Sequence, residues 1–159
     1  MEKMLISRQK HPSESTENII VYKHFVIKDS GIFTPVQEYN CTNEIFRGVF
    51  KAVESEYHRG TQIYPISDYS WGYDITDGYI HAYTETSRVA HEYVYCNDVV
   101  IKCIIPPGTK YYQSYDRDTI CAQTLIIPKE SRRFIIRELK KRIGLLKTWR
   151  LKLKAFGMI

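Results

Sequence analysis

A chain of 159 residues with 43% hydrophobic and 26% charged content can bury a core of its own, which excludes a disordered tail and a repeat array. The first eighteen residues carry no apolar run, and the longest apolar stretch, Val99 to Ile105, is strand-sized and interrupted by Lys102. The expectation is therefore a chain with no leader peptide and no transmembrane segment, in the cytoplasm (the host cell's, if viral).

The net charge of +5 hides a segregation. Lys129 to Lys154 contains eleven Lys/Arg and two Glu, a net of +9, whereas the remaining residues sum to −4. Cys41, Cys96, Cys103 and Cys121 form no CxxC pair and no zinc spacing, so they read as reduced, largely buried thiols, and no metal or cofactor is expected. Asn40-Cys41-Thr42 fits a glycosylation sequon, which a chain outside the secretory route does not use.

In chain order, residues 1–18 read as a polar, flexible lead-in. Ile19 to Ile27 is β-branched and aromatic and predicts a strand. Asp29-Ser30-Gly31 supplies a turn, and Ile32 to Tyr39 pairs back, with Pro35 favouring an edge. Ile45, Phe46, Val49, Phe50, Val53 and Tyr57 have helical spacing between an Asn43 cap and a Gly60 stop. Gly48 weakens that helix, and an alternating, strand reading of the same residues stays open.

Residues 60–78 interleave Gly, Asp, Ser and Pro with Tyr64, Tyr69, Trp71 and Tyr73, an aromatic loop long enough to suggest a binding surface. Gly78 to Thr84 reads as a strand, and Thr84 or Thr86 caps a helix that ends at Asn97-Asp98. Val99 to Ile105 and Thr119 to Ile127 are further strands. Ser131 to Phe156 reads as one long amphipathic helix with its apolar stripe on Ile135, Leu139, Ile143, Leu146, Trp149, Leu153 and Phe156, and with a bend possible at Gly144.

The expected architecture is α+β: a single mixed, mostly antiparallel sheet with two packed helices and a long basic C-terminal amphipathic helix. Residues 19–128 form the core and 129–159 the tail.

Two clusters carry potential chemistry, with two weaker ones beside them. Arg132, Arg133, Arg137, Lys140, Lys141, Arg142, Lys147 and Arg150 supply a cationic face for a protein partner or nucleic acid, although the same charges suit a merely solvated helix. His81 and Tyr83, two apart on a strand, share a face, and with Tyr22 they are the candidates for ligand contact or acid–base work. A half-buried, structurally bonded His81 is the plainer reading. Tyr22-Lys23-His24 and Ser114 to Asp118 are weaker clusters. There is no P-loop, GxGxxG, HExxH or GxSxG motif.

The succession GYIHAYTETSRVAHEY, VVIKCIIPPGTKYY and ICAQTLII resembles small domains of unknown function in proteins of phages and large DNA viruses. It is more distantly similar to the ADP-ribosyltransferase fold. That second likeness implies nucleotide contact at His81 and Tyr83, but the late strand from Thr119 to Leu125 lacks the family's catalytic Glu. The leading expectation is thus a non-enzymatic binding module, with a nucleotide- or NAD-directed enzyme, or its inactive derivative, as the rival.

Overall fold

Ten residues from Ile19 to Lys28, dominated by β-branched and aromatic side chains, form the longest strand, and the sheet grows from it. In the computed structural model the described residues are 4–7, 11–34, 39–51, 62–65, 79–85, 98–114 and 117–159. In chain order they carry strands β1 (Met4–Ser7), β2 (Ser13–Glu14), β3 (Ile19–Lys28) and β4 (Gly31–Phe33), then helix α1 (Thr42–Arg47). Next come β5 (Val49–Lys51), β6 (Gln62–Pro65), β7 (Ile80–Thr84) and β8 (Asp98–Ile105). β9 (Lys110–Gln113), β10 (Thr119–Ala122) and β11 (Thr124–Ile126) precede helices α2 (Lys129–Ile143) and α3 (Leu145–Ala155).

Nine strands form one sheet in the order β2-β9-β10-β7-β3-β8-β11-β5, with β4 on the far end of β3. Its pairs are antiparallel, and the parallel pair β1–β6 stands apart as a two-stranded sheet. The α+β class with a mostly antiparallel sheet is as the sequence implies. β3 and β8 make the longest ladder, from Ile19 opposite Ile105 to Val26 opposite Asp98.

The predicted strand from Thr119 to Ile127 is two strands. Gln123 alone separates β10 from β11, yet β7, β3 and β8 lie between them in the sheet. Strands spaced about 4.8 Å apart put those two about 19 Å apart on a flat sheet. Two Cα steps span only about 7.6 Å. The sheet therefore curls on itself, and this segment turns the corner from one half to the other.

Alternate residues of β3 and β8, among them Val21, Phe25, Ile101 and Cys103, point into one core with Ile45 and Phe46 of α1 and Ile135 and Leu139 of α2. α1 is much shorter than its apolar spacing predicts. Gly48 adopts φ +84°, its N–H donates to the carbonyls of Glu44 and Ile45 at 2.8 and 3.2 Å, and the chain leaves as β5. The cap also differs: Cys41, not Asn43, is the N-cap residue and offers no side-chain cap, while just before it Asn40 Oδ1 accepts from the Thr42 hydroxyl at 2.6 Å and from its N–H at 3.2 Å. The helix predicted after Thr84 lies outside the described residues.

Order also reaches into the expected flexible lead-in. Ser13 and Glu14 pair with Tyr111 and Lys110. Beside them, buried Ser15 forms four hydrogen bonds to the turn after β8. Its hydroxyl donates to the Pro106 carbonyl at 2.6 Å and accepts from Thr109 N–H at 2.9 Å. Its N–H donates to the Thr109 carbonyl at 2.9 Å, and its carbonyl accepts from Gly108 N–H at 2.7 Å. A polar strand of two residues leaves no hydropathy signal, which is why the lead-in reads as free.

The C-terminal region packs against the strands. Ile135, Leu139 and Ala155 are fully buried in the same cluster as the strands, so the tail is part of the fold. It is not one helix. Gly144, with φ +93° and ψ 161°, ends α2 and starts α3.

Candidate functional site

The break at Gly144 decides what the C-terminus presents. A continuous helix would keep Leu139, Ile143, Leu146, Trp149 and Phe156 on one buried stripe. Restarting at Leu145 shifts the phase, so Thr148, Leu151 and Ala155 turn inward instead. Arg47 Nε donates to the Ala155 carbonyl at 2.8 Å, which pins the last turn of α3 beside α1. The Thr148 hydroxyl donates to the Gly144 carbonyl at 2.8 Å, closing the first turn.

Three residues expected in the stripe, Leu146, Trp149 and Phe156, are thereby turned out, while Leu153 is half-buried. Leu146 is 59% exposed, Trp149 57% and Phe156 50%, and Leu145, Met158 and Ile159 stand near 70% at 69, 69 and 72%. Leu145, Met158 and Ile159 escaped the sequence reading. The signal for Leu145 was Gly144, whose power to reset helical phase outweighs the apparent continuity of the stripe, whereas Met158 and Ile159 lie past the helix end at Ala155.

On a helical wheel at about 100° per residue with Leu145 at zero, Trp149, Leu153 and Leu146 follow at about 40°, 80° and 100°. Arg150, Lys154 and Lys147 occupy about 140° to 200°, and Lys152 about 340°, so cations border the apolar arc on both sides. No Asp or Glu occurs from Leu145 to Ile159.

The predicted cations divide into two groups. Arg132 is half-buried, its guanidinium lying across Gly48, and Arg142 is half-buried near Glu138, Nη2 to Oε2 3.9 Å. Lys141 Nζ lies 3.2 Å from Glu138 Oε1. Arg133, Arg137 and Lys140 are exposed along one side of α2, and Lys147 and Arg150 are exposed on α3. These five have no carboxylate within ion-pair distance among the described residues.

The second candidate cluster is brought together by the sheet. Tyr22 of β3 stands opposite Tyr83 of β7, and the rings of His81 and Tyr83 meet edge-on, centroids 5.1 Å apart. His81 faces Cys121 across the β7–β10 ladder. Cys121 is buried with Tyr79 and Tyr112, whose rings also meet edge-on at 5.2 Å. Burial pushes the Tyr83 phenol above its ordinary value, so it stays protonated and able to donate. His24, two residues beyond Tyr22 on the same side of β3 and buried, belongs to this face.

The described clefts lie elsewhere. One of about 440 Å³ at the end of the sheet is lined by Asn18, Thr84, Glu85, Tyr111, Gln113 and Arg117, among others. Two more, of about 500 and 350 Å³, lie beside α1 and at the start of α2. His81, Tyr83 and Tyr22 line none of these three. Of the aromatic loop, Tyr64 falls in β6, and Tyr69, Trp71 and Tyr73 lie outside the described residues.

The thiols have packing roles. Cys41, Cys103 and Cys121 are buried. Burial pushes Cys103 up to about 12 and Cys41 further up, which leaves both as unreactive thiols at neutral pH. Among the described residues no group of three or more His, Cys, Asp or Glu could hold a metal ion, and no helix is long and apolar enough to cross a membrane.

Comparison with family models, curated proteins and solved structures finds no match for this chain.

Proposed function

We propose that the protein is a binding module whose contact surface is the outward side of its C-terminal helices. One observation carries this reading. α3 is fixed to the core by Thr148, Ala155 and the Arg47 hydrogen bond, while Leu145, Leu146, Trp149 and Phe156 face solvent beside uncompensated cations. Apolar side chains held rigidly outward in one patch mark a surface made for contact, since a scattered exposed leucine is ordinary but a contiguous patch is not.

A photoreactive benzophenone side chain placed at position 149 of the full chain, in the cells that express it, tests the reading. The control is the same group at Lys110, exposed on β9. Adducts of any class form from position 149 and not from position 110. Equal yields from both, or none from 149, would sink the proposal.

A second reading is favoured by the meeting of Tyr22, Tyr83 and His81 with buried His24 on one side of the sheet. Such a face suits a nucleotide ring, in an ADP-ribosyltransferase-like enzyme or a binding-only derivative of that fold. On this reading NAD raises the melting temperature and His81→Ala abolishes the rise. A flat response of the unaltered protein retires it.

A further inference from the structure

The pattern on α3 says what kind of surface it contacts. A nucleic-acid duplex presents phosphates, so a helix built for it puts cations at the centre of its outward face. α3 does the reverse: the centre of the arc is exposed Leu145, Trp149 and Leu146 with half-buried Leu153 between them, and the cations stand at its margins. A groove on a protein that took the apolar arc would leave Lys152 on one margin and Arg150, Lys154 and Lys147 on the other, each needing its own carboxylate. A bilayer with anionic headgroups satisfies the whole pattern at once, because acyl chains accept the arc and phosphates line both margins.

We infer that the outward face of α3 lies on an anionic lipid surface, with the apolar arc in the boundary between headgroups and acyl chains. The inference rests on the reading of the C-terminal helices as the contact surface. Long cationic side chains at the margins of an apolar arc reach back to the headgroups while their stems stay among the acyl chains. Trp149, midway along the helix and 57% exposed, is the side chain type that settles at that boundary. Phe156, Met158 and Ile159 continue the apolar surface past the last turn. Arg133, Arg137 and Lys140, exposed on the adjacent α2, add charge of the same sign. At eleven residues α3 is far too short to span and is suited to lie in the plane of the surface.

Sedimentation of the full chain with vesicles gives the test. Phosphatidylcholine vesicles are compared with vesicles that also contain phosphatidylserine, each at low and raised salt. The protein sediments with the phosphatidylserine vesicles in a salt-sensitive manner and far less with phosphatidylcholine alone. Lys147→Gln and Arg150→Gln each weaken binding about fivefold, and Leu146→Gln with Trp149→Gln weakens it by at least about tenfold. All four side chains are exposed, so the variants keep the parent's melting temperature, which certifies that they fold. Absence of binding, equal binding to both vesicles, or full binding by the Leu146→Gln/Trp149→Gln variant overturns the lipid assignment. If vesicles fail while position 149 still cross-links to protein or nucleic acid, the lipid assignment alone falls. If those adducts are missing too, both readings fall.

Discussion

Gly31→Ala lowers the stability of the protein by about 3–5 kcal/mol, read as a fall in the urea midpoint. Two separate costs meet at this residue. Gly31 has φ +135°, a conformation that side chains rarely adopt, and a Cβ there would stand 2.1 Å from the Thr42 hydroxyl oxygen. That oxygen is not free to withdraw. It accepts from Ile32 N–H at 2.9 Å and donates to Asn40 Oδ1 at 2.6 Å, the contacts that tie the β3–β4 turn to the start of α1. Relief of the clash breaks at least one bond in a buried setting, where an unmade bond costs about 1–3 kcal/mol. Gly108→Ala supplies the contrast. Gly108 also has positive φ, at +79°, but the nearest atom to its Cβ is the Glu14 carboxylate at 3.9 Å. There the conformational term stands alone, about 1–2 kcal/mol. Equal losses for the two variants would show that the Thr42 contact contributes nothing.

The second large effect has the opposite sign: Lys23→Met stabilises the protein at neutral pH. Lys23 is buried on the core side of β3, its ammonium 5.9 Å from the Phe25 ring centroid, with no carboxylate partner among the described residues. Burial pulls its pKa below the ordinary 10.5, and the nearby Cys41, Cys121 and Cys103 oppose that only in part. A lysine depressed in the folded state binds its proton more weakly than in the unfolded chain. Stability is therefore lowest below the folded pKa and rises with pH until 10.5, by about 1.4 kcal/mol per unit across the interval. Methionine fills a similar length without charge. The variant is expected to be more stable at pH 7 by about 2 kcal/mol, or about 4–8 °C in melting temperature. The gap closes as pH rises toward 10.5. Cys41 and Cys103, whose raised pKa values make stability fall above pH 9, are held down in part by the Lys23 charge, so the two proteins are compared below pH 9, before these thiols titrate. A gap that stays constant from neutral to alkaline pH would falsify the account.

What the sequence made legible follows from the range of the forces involved. β3 and β8 stand out as β-branched runs because strand propensity is written in the residues themselves. The shared face of His81 and Tyr83 follows from alternation alone. The features that were missed depend on partners far along the chain. Nothing between Thr119 and Ile127 says that the two halves of the run bind different neighbours, because the corner at Gln123 exists only once the sheet curls. Ser15 looks like a residue of a loose terminus until the Pro106–Thr109 turn closes around it. At Gly48 and Gly144 the information was present as glycine, but apolar spacing across each position argued for continuity and local backbone freedom prevailed. The outward face of α3 was misread for that reason alone.

The topology also bears on how the chain is made. β3 emerges from the ribosome early with β4, but its other edge waits for β8, and β5 has no partner in the sheet until β11 appears. A nascent chain halted before Ile126 therefore presents open strand edges rich in Ile and Val, the kind of surface that pairs with a neighbouring chain. Distant pairings of this sort form slowly. Yield during synthesis then depends on translation pace and holdase capacity as much as on the stability of the finished fold, and nonsense truncations ahead of α2 should accumulate as aggregates, with little soluble fragment.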